Sequence, residues 1–98
     1  MADKEVIIIG AGVAGLSAGC YLQMNGYRTR IFELASGPGG LCASWRRGGY
    51  TFDGCVQWLL GSSPGHAFYD MWSELLDMGS IEFVHHDRLL DVVVRPGE

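Results

Sequence analysis

The stretch VIIIGAGVAGLSAGCYLQMNGYRTRIFE, residues 6–33, constrains the fold more than any other part of this chain. It sets Gly10-x-Gly12-x-x-Gly15 between an apolar run and a helical segment. Three glycines at that spacing are weak evidence alone, and the flanking pattern makes them specific. Gly10 permits a tight turn after a strand, Gly12 lets backbone approach a pyrophosphate, and Gly15 lets the helix lie close on the strand. Val13 and Ala14 open the helix, where unpaired N–H groups and the macrodipole favour negative charge.

The local pattern predicts a β-α-β unit. Val6–Ile9 is a continuous apolar run ending at Gly10, as expected of a parallel strand buried on both faces. Val13 to Asn25 reads as a helix with Leu16, Cys20 and Gln23 on one side, and Gly26 suits its left-handed cap. Tyr27 to Glu33 returns to strand through Thr29, Ile31 and Phe32. Glu33 then stands where a carboxylate accepts hydrogen bonds from an adenosine ribose and repels a 2′-phosphate. The expected fold is α/β, a Rossmann-like dinucleotide-binding unit. By itself this unit reads only an ADP half and does not separate FAD from NAD.

Bulk properties exclude several alternatives. Hydrophobic residues make up 48% of the 98 and charged residues 18%, against the composition of disordered chains. The formal net charge is −4, and the one adjacent basic pair is Arg46-Arg47, which argues against a nucleic-acid partner. No apolar run approaches the roughly 20 residues of a spanning helix. The acidic and basic residues Asp3, Lys4 and Glu5 before Val6 are unlike a secretory leader, so a cytoplasmic chain is expected. The three cysteines, Cys20, Cys42 and Cys55, lack the paired spacing of a zinc site, and no metal is expected.

Beyond Glu33 the pattern changes. Residues 35–49 read as irregular, Tyr50–Asp53 as a short strand, and Ser63-Pro64 as the start of a helix. Phe68, Met71, Trp72, Leu75 and Leu76 form its apolar side. Ile81–His85 and Leu89–Arg95 read as strands of a hairpin. The expected organisation is a nucleotide-binding unit over 1–62, then a helix and strands over 63–98 that begin a second domain. Two strands, a helix and a hairpin make an incomplete architecture, which suggests an N-terminal piece of a larger protein.

A second glycine pair distinguishes the segment from a plain NAD-binding unit. GxGxxGxxxG, Glu33 and GPGGLCAS together resemble the start of the amine-oxidase-like flavoproteins. Gly39, Gly40 and Ser44 match that family's glycine doublet and the hydroxyl residue four positions on. GGYTFDGCVQWLLG is similar to its phytoene-desaturase and carotenoid-isomerase branch, through Tyr50, Phe52 and Asp53. The chain departs from the family at Gly37 and Leu41, where basic residues are common, and at Cys55, where glycine is.

The resemblance implies FAD as cofactor, with the doublet backing its diphosphate and ribose. Carried onto this sequence, the cofactor-binding residues are Gly10, Gly12, Val13, Ala14, Gly15, Glu33, Leu34, Gly39, Gly40, Leu41, Gln57 and Trp58. It implies an oxidoreductase moving a hydride to or from flavin N5, on an apolar, isoprenoid-like substrate. No acid–base pair stands out, Asp53 reads as a turn residue, and no catalytic residue is assigned. Arg46-Arg47 leaves open a peripheral contact with an anionic membrane. Two alternatives stay open: an NAD-dependent dehydrogenase, and a non-catalytic module that dimerises through unpaired sheet edges.

Overall fold

The computed structural model describes residues 4–56, 58–88, 90–95 and 97. Strand β1 (Glu5–Ile9), helix α1 (Val13–Met24) and strand β2 (Arg28–Phe32) form a β-α-β unit. The strands are parallel and in register from Glu5 opposite Arg28 to Ile9 opposite Phe32. Gly10 N–H extends the pairing by donating to the Phe32 carbonyl at 2.7 Å. Gly26, at φ +82°, reverses the chain between α1 and β2.

Helix α1 covers one face of this sheet. A Cβ on Gly19 would meet Ile31 Cδ1 at 3.1 Å and Ile8 Cδ1 at 3.5 Å, so this glycine lets helix and sheet approach closely. The expectation that β1 is buried on both faces does not hold. Ile7, Ile9 and Phe32, on the other side, are 61%, 82% and 53% exposed. A parallel sheet becomes doubly buried only when helices cover both faces, and among the described residues α1 alone lies on it.

An antiparallel hairpin follows, β3 (Ser44–Arg47) and β4 (Tyr50–Asp53). β4 lies where the sequence placed a strand, whereas β3 falls inside a segment expected to be irregular. Its partner makes it a strand: Trp45 stacks on Phe52 across the pair, centroids 6.0 Å apart. Gly48 and Gly49, at φ +57° and +81°, supply the two left-handed residues of a two-residue hairpin turn.

The last helix, α2 (Ala67–Ser73), starts later than Ser63-Pro64 suggests and ends before Leu75. Gly65 at φ +88° breaks the first turn, and His66 takes over as N-cap, its Nδ1 accepting from Phe68 N–H at 3.2 Å. Trp72 Nε1–H donates to the Leu60 carbonyl at 3.1 Å, and Tyr21 of α1 bonds Glu74 just past α2. Strands were expected over Ile81–His85 and Leu89–Arg95. Residues 81–88 and 90–95 instead carry no regular pairing, and Leu89 lies outside the described residues. Extended segments become ladder strands only with a hydrogen-bonding neighbour.

Candidate dinucleotide-binding site

Two glycine loops meet at the N-terminus of α1. In the first, Gly10 takes φ +105°, a conformation that L side chains rarely adopt. Gly12 is the N-cap of α1, and its carbonyl accepts the first helical bond, from Leu16 at 3.0 Å. The N–H groups of Val13, Ala14 and Gly15 therefore precede any intrahelical acceptor and point out of the helix end. No acidic side chain occupies that first turn. Gly15 is the most constrained position, because its Cβ would stand 2.0 Å from the Gly10 carbonyl oxygen. A Cβ on Gly12 would meet nothing within 4 Å, so the space before the helix end is open.

The second loop is built onto the first. Gly39 N–H donates to the Ala11 carbonyl at 2.8 Å, and Gly39 forms a parallel bridge with Gly12. Gly39 and Gly40 take φ +123° and +57°, and a Cβ on Gly40 would stand 3.2 Å from Gly12 Cα. The doublet thus satisfies two requirements at once, left-handed backbone and backbone-to-backbone contact. Gly40 opens a single 3-10 turn to Cys42, leaving Leu34 and Leu41 exposed at the mouth.

Glu33 joins the loops. Its Oε2 accepts from Ala11 N–H at 2.7 Å and its Oε1 from Ala35 N–H at 2.9 Å. These bonds, Ala35 first and Ala11 second, hold the carboxyl below its ordinary range. The sequence points to Glu33 as a ribose ligand. The geometry adds a tether between the Gly10–Gly12 turn and the start of the second loop. Each carboxylate oxygen retains a further lone pair for an outside donor. This tethering is invisible in the motif, since it depends on β1 and β2 ending side by side.

Gly10, Gly12, Val13, Ala14, Gly15, Glu33, Gly39 and Gly40 are thereby brought together, with Leu34 and Leu41 beside them. Trp58, which the resemblance places toward the flavin end, is not part of either glycine loop. It lines an open hollow of about 700 Å³ with Val56, Phe83 and His85, and no described residue of either glycine loop contributes to that lining. Gln57 is outside the described residues. Asp53 has the turn role expected of it, its Oδ1 accepting from Cys55 and Val56 N–H at 3.0 and 2.8 Å.

A helix end with free N–H groups, open space at Gly12 and an acid at the end of β2 can receive a dinucleotide's ADP half. Comparison with known proteins agrees. Residues 8–75 match the NAD(P)-binding Rossmann-like domain, and the chain belongs to that family. It is similar to an inactive all-trans-retinol 13,14-reductase of Danio rerio, 29% identical over 92 residues, which are 94% of this chain and 15% of that protein. A zeta-carotene-forming phytoene desaturase of Myxococcus xanthus is 38% identical over 50 residues, 51% of this chain and 10% of the relative. Prolycopene isomerase 2 of an Oncidium hybrid cultivar is 36% identical over 68 residues, 69% and 11% of the two chains. The chain thus spans between a tenth and a sixth of the length of these relatives. No solved structure matches. Among the described residues no helix is long and apolar enough to cross a membrane.

Proposed function

We propose that this chain is the ADP-binding part of an FAD-dependent oxidoreductase of the carotenoid desaturase and isomerase type, acting on an apolar, isoprenoid-like substrate. The observation that carries the reading is the seating of Gly39-Gly40 on Gly12 at the helix end. A second backbone wall at that place suits a cofactor whose diphosphate continues into a long ribityl-flavin arm. The names of the related desaturase and isomerase supply the substrate class.

The residues present fit the cofactor. N–H groups of Val13 and Ala14 would face the diphosphate, Gly12 would leave it room, and Glu33 would accept from the adenosine ribose. When bound, the flavin supplies the redox chemistry, its N5 taking or giving a hydride. The chain's own part is to bind and orient. Its glycine loops present fixed donors without side chains in the way, and Glu33 keeps those loops in register. No residue is assigned a proton-transfer role.

The test is a titration of the purified chain with FAD and with NAD, following quenching of its three tryptophans. Saturable binding of FAD at concentrations where NAD does not bind is the expected result. Equal affinity for both would reduce the reading to a generic dinucleotide site. A second reading, self-association, is supported by the exposed Ile7, Ile9 and Phe32 face. Light scattering that finds only monomer across a wide concentration range would remove it.

A further inference from the structure

We propose that the β3–β4 hairpin is a membrane-docking element whose aromatic face lies on an anionic lipid surface. The pairing register defines that face. Trp45 stands opposite Phe52 and Arg47 opposite Tyr50, and the alternation of a strand puts these four side chains on one side. Ser44, Arg46, Thr51 and Asp53 take the other side. The first side therefore holds three aromatic rings and one guanidinium, and no carboxylate.

This face is open. Tyr50 is 73% exposed, Trp45 53% and Phe52 44%, although Trp45 and Phe52 stack on each other with centroids 6.0 Å apart. Three large rings gathered on one short hairpin form a patch, unlike apolar residues scattered singly over a surface. Among the described residues the ion pairs are Arg30 with Glu5 and Arg88 with Asp91, so no carboxylate neutralises Arg46 or Arg47. Asp53, the one acid of the hairpin, stands at the opposite end from the arginines. Its Oδ1 is already engaged by the Cys55 and Val56 N–H groups.

The side-chain chemistry selects the occupant. Tyr and Trp settle where one end of the ring meets hydrocarbon and the other meets water, as at the headgroup level of a bilayer. Phe52 adds apolar surface without a polar handle. An arginine among such rings keeps its stem on the apolar side and its guanidinium at a lipid phosphate. Arg46, beside the same Gly48-Gly49 turn, adds to the local positive charge. A second copy would bring two arginine-bearing faces together with no carboxylate on either to meet them. The chain's net charge of −4 opposes approach to an anionic surface. Exposed charges more than about 8 Å apart are largely screened at physiological salt, so the hairpin's own charges dominate at contact. The docking rests on the hairpin alone and stands independently of the cofactor assignment.

The test is co-sedimentation of the purified chain with vesicles of pure phosphatidylcholine and of equal parts phosphatidylcholine and phosphatidylserine. Binding to the mixed vesicles that weakens with added salt is expected, with little binding to the neutral ones. Arg47→Gln should lower partitioning into the mixed vesicles about fivefold, the share of one basic residue near an anionic surface. Tyr50→Ser should lower it as well, by removing the most exposed of the three rings. Both positions are exposed, so circular dichroism of the two variants should match the parent. Arg88→Gln, the same charge change away from the hairpin, should leave partitioning unchanged. Absence of binding to the mixed vesicles, equal losses from Arg88→Gln and Arg47→Gln, or binding indifferent to Tyr50→Ser would each overturn the proposal. So would a dimer, seen by light scattering, that both hairpin substitutions dissociate, since the face would then belong to a second copy.

Discussion

The two faces of the β1–β2 sheet are made by the same ten residues and meet different surroundings. On one, Ile8 and Ile31 pack under Gly19 of α1. On the other, Ile7, Ile9 and Phe32 stand open, with only Arg30 and Glu5 bonded across their edge at 2.5 Å. The covered face carries Val6, Ile8, Thr29 and Ile31 and no charge, whereas the open face sets Ile7, Ile9 and Phe32 among Glu5, Arg28 and Arg30. A crossover helix connecting two parallel strands covers one face as a matter of connectivity. Covering the second requires chain from elsewhere, whether a further segment or another copy. The finished nucleotide loops sit at the edge of the covered face, where β1, α1 and β2 already hold one another.

The largest effect that bears on this contrast should come from Gly15. Its Cβ has no place beside the Gly10 carbonyl, so Gly15→Val is expected to cost about 3 kcal/mol of stability, seen as a lowered denaturation midpoint. Gly12→Val is the informative companion. With open space around it, the valine should leave the midpoint near that of the parent while abolishing dinucleotide binding in the tryptophan titration. If both variants fold and bind as the parent does, the helix end is not the phosphate site.

Next in size is the difference between the sheet faces themselves. Ile8→Ala should cost about 2 kcal/mol, because it empties space under α1. Ile7→Ala should stay within about 0.5 kcal/mol, as expected of an exposed residue. Urea unfolding of both variants at two protein concentrations makes the comparison. Equal losses, growing with concentration, would show the open face to be covered in solution by a second copy.

Glu33 sharpens the comparison between tethering and ligand binding. Glu33→Ala is expected to weaken dinucleotide binding about tenfold or more, as the loss of a charged hydrogen-bond partner does. Glu33→Gln keeps an acceptor of the same length, though its amide cannot serve both N–H groups, and should fall between alanine and the parent. Affinities by fluorescence titration that are unchanged in both variants would end the ribose assignment.

The smallest expected effect is a pH dependence. Because the folded Glu33 carboxyl titrates below its unfolded value, its bonds to Ala35 and Ala11 contribute fully above the unfolded pKa. That contribution declines as pH falls through the lowered folded value. Amide exchange at Ala11 and Ala35 should therefore speed up in acid relative to neighbouring amides, and the difference should vanish in Glu33→Gln.

Much of the nucleotide site was legible in residues 5–33. Hydrophobic runs, glycines at turn positions and a terminal acid are local signals, and β1, α1 and β2 follow them to within a residue or two. The tail was read less well. Ile81–His85 has the composition of a strand, yet a strand is a relation between two segments, and residues 81–88 have no ladder partner among the described residues. Trp58, grouped with the cofactor residues by resemblance and expected at the flavin end, lines a hollow with Phe83 and His85.

By itself the sequence determined the β-α-β unit and the places where only glycine fits a left-handed backbone, because those depend on neighbours in the chain. Only the tertiary structure decided that Gly40 rests on Gly12, that Glu33 ties Ala11 to Ala35, and that Ser44–Arg47 becomes a strand. The first two depend on β1 and β2 ending side by side, and the third on Tyr50–Asp53 folding back across Gly48-Gly49 to supply a ladder partner. Local propensity carries no record of that meeting.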